Sequence, residues 1–140
     1  DLADAEVSVW LCAGSYLGLS LRVQPEADGK RRSEDVYLRV GDDQRSGTIQ
    51  YYPHGLMKQE ELHREPYERT IPRIAAGTWC RLRVRLVGRV LTAYLDDAPE
   101  PVLHVDPVLH PHGQGSVGVR SWGGRFAHLT VQPIAAGAQP

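Results

Sequence analysis

No run in this sequence is apolar for long enough to cross a bilayer as a helix, and no basic stripe dominates it. Lys and Arg together number 16 against 17 Asp and Glu, leaving a formal net charge of −1. A phosphate backbone is bound by a concentrated positive field, so this balance argues against nucleic acid as a main partner, and the lack of an apolar span argues against the membrane. Cysteine is scarce. Cys12 and Cys80 are the only two, and they lack the Cys-x-x-Cys or histidine spacing of a zinc site. Each lies in an apolar, strand-like segment that suits a small buried thiol. They can pair only if their strands are neighbours at the required separation, which the sequence leaves open. The first residues are acidic rather than signal-like, and the only methionine is Met57, so a mature fragment or excised domain of a longer protein is expected. Glycine-rich nucleotide loops, phosphate loops, His-Glu-x-x-His and Ser-His-Asp spacings are missing as well. Cofactor enzymes and the common hydrolases therefore find no support.

What the chain does have is alternation. Its 140 residues are 41% hydrophobic, enough for the core of one domain. Apolar side chains recur at every second position, which places them on one face of a strand. Val7, Val9 and Leu11 alternate with Ser8, Trp10 and Cys12; Leu17, Leu19, Leu21 and Val23 alternate with Gly18, Ser20 and Arg22. Val36, Leu38 and Val40 oppose Tyr37 and Arg39 before the Gly41-Asp42-Asp43 turn, and a further strand runs from Thr48 to Tyr52. Lys30, Arg31 and Arg32 read as a solvated loop. Trp79, Leu82, Val84 and Leu86 are set against Arg81, Arg83 and Arg85, and Gly88-Arg89 turns that strand into Val90–Leu95 as a β-hairpin. Val102–Val105, Gly115–Trp122 and a last strand carrying Phe126, Leu129 and Val131 follow. Between Pro53 and Gly77 the alternation fails, and closely spaced prolines predict a long loop with a helical turn near Lys58–Glu65. Eight or nine short strands without a long helix predict an all-β, two-sheet antiparallel sandwich over residues 1–134, with 135–140 as a linker or tail.

The segments GTWCRLRVRLVGRVLTAYLDD (77–97) and GSVGVRSWGGRFAHLTV (115–131), with GLSLRV (18–23) and DVYLRV (35–40), resemble the concanavalin A-like lectin/glucanase superfamily, a jelly-roll sandwich. That resemblance covers most of the chain and speaks to fold more than to function. Laminin-G-like interaction domains, sugar-binding modules and the bacterial 3-keto-disaccharide hydrolase family share these patterns. Fructan-binding modules appended to bacterial levanases are the most similar in strand order and length. There an arginine on a central strand, acidic neighbours and an aromatic residue hold the sugar, and Arg22, Tyr37 and Trp122 match by position. The resemblance also implies an upstream strand and hairpin that the chain starts too late to contain. It further implies a secreted or extracellular bacterial protein, with the other domains of a parent protein as possible partners.

Parity argues independently for the same face. With Leu21, Val36, Leu38, Val117 and Val119 pointing inward, Arg22, Tyr37, Arg39, Arg120 and Trp122 point the other way. If their strands are neighbours, they form an aromatic and arginine patch of the kind that stacks on a sugar ring and donates to its hydroxyls. The alternative is that the aromatics cover the core's rim and the arginines pair with Glu34, Asp42 or Asp43. Tyr51, Tyr52 and His54 at the mouth of the long loop extend such a groove. Trp79, and with it Trp10, is expected to seal the core. Glu60, Glu61 and Glu65 do not alternate on a strand as a glycosidase pair would, and no catalytic residue is assigned. His104, Asp106, His110 and His112 read as a solvated loop, and the Asp42-Asp43 and Asp96-Asp97 pairs as turns, with a Ca²⁺ site as the alternative for the latter. Three readings of function stand: a non-catalytic carbohydrate-binding module with a glycan ligand, a 3-keto-disaccharide hydrolase or lyase, and a laminin-G-like interaction domain.

Overall fold

A computed structural model of the protein describes residues 2–12, 14, 16–25, 31–40, 47–110 and 113–135, with the side chain of Trp122 excepted. Among the described residues ten strands form: β1 (Ala5–Cys12), β2 (Tyr16–Pro25), β3 (Arg31–Arg39), β4 (Thr48–His54), β5 (Glu68–Thr70), β6 (Trp79–Val87), β7 (Val90–Leu95), β8 (Leu103–Val105), β9 (Ser116–Trp122) and β10 (Arg125–Pro133). They make two antiparallel five-stranded sheets, β10-β1-β6-β7-β8 and β5-β4-β3-β2-β9. The all-β sandwich read from alternation is the fold. β5 escapes a pattern reading because three residues, Glu-Arg-Thr, carry no apolar alternation.

Inward positions from both sheets fill one core: Val7, Val9 and Leu11 on β1, Leu82, Val84 and Leu86 on β6, Leu17, Leu19 and Leu21 on β2, Val36 and Leu38 on β3, Ile49 and Tyr51 on β4. Each fully buried aliphatic side chain contributes about 1.5–3 kcal/mol over an exposed one, so this interdigitation dominates the stability of the domain. Cys80 belongs to the core and Cys12 does not, because the register pairs Leu11 with Cys80 and Cys12 with Trp79. The two thiols sit on opposite faces of neighbouring strands, and both are free.

Residues 2–4 strap one end of the sandwich. Leu2 exchanges backbone hydrogen bonds with Gly115, just before β9. The Asp4 carboxylate accepts from the Gly88 amide in the β6–β7 turn, and the Asp4 carbonyl accepts from the amide of Ile134. Arg22 holds this strap. It adopts φ +53° at a break in the β2 register, which turns its side chain away from the face that strand parity predicted. Its guanidinium donates to Ala3 O at 2.7 Å, Gly88 O at 2.7 Å and Asp4 Oδ1 at 3.3 Å, with only 7% of the residue exposed.

The same end carries polar groups that the loop reading missed. Arg31 and Arg32 begin β3 instead of lying in a solvated loop; Lys30 is outside the described residues. His110 is buried, accepting from Arg32 Nε at 3.1 Å while its Nε2 lies 3.0 Å from His54 O. It is therefore a packed residue, and its predicted neighbour His112 is outside the described residues. Glu34 points inward beside Leu21 and accepts the Tyr51 hydroxyl, which in turn accepts the Leu109 amide at 2.9 Å.

Burial pushes the Glu34 carboxyl up to about 7, against the opposing pull of the Tyr51 hydrogen bond and the Arg22 charge. An unfolded glutamate releases its proton near 4.5, so between pH 4.5 and 7 the folded state holds more protons than the unfolded one. Stability attributable to Glu34 is therefore fully present below pH 4.5 and is lost as pH rises to 7. Glu34→Gln should flatten this part of the stability curve, raising stability at pH 8 by a few kcal/mol relative to its effect at pH 4.5. Urea unfolding of both proteins across that range checks it, and parallel curves would remove the assignment.

Candidate functional site

The outer face of the β5-β4-β3-β2-β9 sheet carries the polar and aromatic side chains left over when the apolar positions turn inward. Along β3 these are Ser33, Asp35, Tyr37 and Arg39; β4 adds Gln50, Tyr52 and His54, and β2 adds Tyr16, Gly18 and Ser20. Asp35 lies at the centre, with no exposed surface. Its carboxylate accepts from the Ser33 hydroxyl at 2.7 Å, the Tyr37 hydroxyl at 2.8 Å and the Arg31 guanidinium at 3.2 Å. Charge-assisted bonds of this kind fix the groups that donate them.

From Tyr37 the aromatic contacts spread sideways. Tyr16 meets its ring edge-on at 5.5 Å, Tyr52 lies 6.2 Å away on the other side, and His54 meets Tyr52 edge-on at 5.5 Å. Gly18 makes room for this: a Cβ there would stand 2.6 Å from Tyr37 Cδ1 and 2.4 Å from Val36 O. The Arg39 guanidinium lies 5.4 Å from the Tyr16 ring centroid and donates to Gln50 Oε1 at 3.4 Å. Gln50 reaches the long loop, donating to Gln59 O at 3.1 Å and lying 3.3 Å from His63 Nδ1; His63 is 2.7 Å from Glu68 Oε2 on β5. The loop, with a single 3-10 turn at Gln59–Leu62 as its only helix, thus covers the β4–β5 side of the face. The uncovered side is toward β9. There Tyr16, Val119, Arg120 and Ser121 line an open depression of about 430 Å³.

Of the residues singled out by parity, the structure brings Tyr37 and Arg39 together and sets Arg120 opposite Gly18, next to Tyr16; Tyr52, expected at the mouth of the long loop, joins the same face beside Tyr37. Trp122 has its backbone opposite Tyr16; its side chain is outside the described residues. Arg22 does not join the group, being committed to the strap. Tyr37 is only 4% exposed and Arg39 8%, so these two support the surface from beneath, while Tyr16, Tyr52, His54 and Arg120 face solvent in part. Tyr51, expected to be exposed, is fully buried in the core. Tyr16 and Asp35 were missed, although Tyr16 shares the parity of Gly18 and Ser20, and Asp35 that of Tyr37 and Arg39. Asp42 and Asp43 are outside the described residues, and Asp96 and Asp97 are engaged with Arg81 as a turn. Among the described residues no cluster of three metal-ligating side chains occurs.

The titratable rings on this face favour their neutral forms. Burial lowers His54, and the nearby Arg31 lowers it further against the pull of Asp35, so its imidazole is neutral at pH 7. Burial, reinforced by the Asp35 charge, raises the Tyr37 and Tyr52 phenols, which remain hydrogen-bond donors. Tyr37→Phe deletes one donor to a buried carboxylate and should cost about 1–3 kcal/mol in urea unfolding. Tyr94→Phe, where the ring and not the hydroxyl meets Arg83 at 4.3 Å, serves as the comparison and should be near neutral.

No protein-family model matches the chain, and no curated protein matches it. Solved structures do. The carbohydrate-binding module CBM66 from Bacillus subtilis superposes with a TM-score of 0.66 at 13% identity, over 93% of this chain and 75% of that one. Sheep galectin-11, in complex with glycerol, gives 0.64 at 10% identity over 94% and 91% of the two chains, and an ancestral congerin 0.59 at 11% over 91% and 90%. At these identities the likeness is one of fold.

Proposed function

We propose that this domain is a non-catalytic carbohydrate-binding module, of the concanavalin A-like group its sequence resembles, acting as an accessory domain of a larger glycan-active extracellular protein. The observation that carries the reading is the Tyr16–Arg120 depression, which opens beside a preformed aromatic row on the outer face of one sheet. An aromatic ring offers the apolar surface that a sugar's C–H face stacks on, and a guanidinium offers fixed donors to its hydroxyls. The row is braced from below by Asp35 and Arg39, so little side-chain ordering is left to occur on binding. Similarity of fold to a module and to galectins, proteins named for sugar binding, supports the same reading.

Binding of the purified domain to a glycan array spanning fructans, β-glucans and host-type sugars, with and without EDTA, tests it. A glycan should bind, and Tyr16→Ala and Arg120→Ala should each weaken that binding at least about tenfold, roughly 1.4 kcal/mol, with unfolding midpoints little changed. Loss of binding in EDTA would add Ca²⁺ to the site. A silent array, or binding indifferent to both substitutions, would overturn the reading.

A further inference from the structure

Two of the largest apolar side chains in the chain lie on the opposite surface of the sandwich. On the outer face of the β10-β1-β6-β7-β8 sheet, Trp10 and Trp79 are 38% and 42% exposed, where the sequence pattern had them sealing the core. The register explains it. Trp79 shares parity with Arg81 and Arg83, not with Leu82, so Cys80 takes the inward position. Across the sheet, Trp10 stands between Ala127 and Arg81, and Trp79 is paired with Cys12, whose other neighbour is Arg125. The tryptophans are thus diagonal neighbours with small residues beside them, and the space this leaves is an open depression of about 370 Å³ lined by Trp10, Trp79, Ala127 and His128. His128 has φ +54°, at the break in register between β1 and β10 that widens this spot.

A second depression, of about 240 Å³, shares this end of the sheet. It is lined by Arg125, Cys12 and the glycines 14, 77, 123 and 124. Arg125 bridges the two, its guanidinium 5.9 Å from the Trp79 ring centroid. Among the described residues Arg125 makes no ion pair, whereas Arg81 is paired with Asp97 and Arg83 lies near Glu6. An exposed cation held beside a tryptophan face, without a carboxylate, presents an unneutralised charge next to a stacking surface.

The structure assigns a second ligand site to this Trp10–Trp79–Arg125 groove, for an acidic saccharide: a sugar ring stacks on the tryptophans and its carboxylate meets Arg125. Stacking needs an apolar ring face, and Arg125 selects a negative charge adjacent to it. The site lies on the other sheet from the Tyr16 depression and does not rest on it.

The test uses the Tyr16→Ala protein, so that the first site is disabled, and two probes of equal length, an oligogalacturonate and its fully methyl-esterified form. Calorimetry should show binding of the acid form, weakened at least tenfold by esterification, by Arg125→Ala and by Trp79→Ala, and weakened by added salt. In NMR the indole N–H signals of Trp10 and Trp79 should move during the titration. Arg125 is exposed, so its substitution reports on the site even if Trp79→Ala fails to fold. No binding, equal binding of both probes, or binding unaffected by Arg125→Ala would overturn the assignment. So would a dimer in sedimentation that Trp79→Ala dissolves, which would give the face to a second copy of the chain.

Discussion

A carboxylate with no exposed surface needs its lone pairs filled, and that requirement at Asp35 organises the outer face of the second sheet. Ser33, Tyr37 and Arg31 fill them, all from the same strand. Because Tyr37 aims its hydroxyl at Asp35, its ring packs against Gly18, and this fixes where Tyr16 and Tyr52 can rest. Arg39 then caps Tyr16 and hands the network on to Gln50 and the long loop. Positions that a β-sandwich ordinarily leaves to water are here closely packed, and among the described residues of the row Tyr16, Tyr52 and His54 are half open.

Much of this was legible because it rests on alternation. The hairpin Trp79–Leu95, the outward arginines of β6 and the shared face of Tyr37, Arg39 and Arg120 all follow from a period of two. What escaped the reading are places where the period breaks or was counted wrongly. Arg22 sits at a positive φ, so its side chain leaves the face that its neighbours define, and an aligned arginine became a clamp. Trp79 was grouped with Leu82 across an odd step, which hid its exposure. His110 lies in a loop, and nothing local in the sequence announces that Arg32, 78 residues away, will bond to it. Long-range polar pairing of that kind is a property of the folded chain.

The two sheets use their outer faces differently. The second turns its polar residues toward one another, linking them by hydrogen bonds across β3, β4 and β5. The first keeps Trp10, Trp79 and Arg125 uncommitted to any deep packing. On β10, the edge strand of that sheet, Phe126, Leu129 and Val131 are also 53%, 40% and 40% exposed. Burial alone would favour covering such groups, so their exposure costs stability that a closed sandwich would retain.

The strap formed by residues 2–4 has a geometric consequence. Ala5 is paired with Pro133, and Ile134 bonds to Asp4, so the first and last strands run side by side at the strapped end. The chain before Asp4 does not leave there, because Leu2 is carried across to Gly115, just before β9 in the other sheet. Residues 2–4 are thus a stitch between the β10-β1 side of one sheet and the β9 edge of the other, and a circular permutation that joined Ala5 directly to Pro133 would cut it.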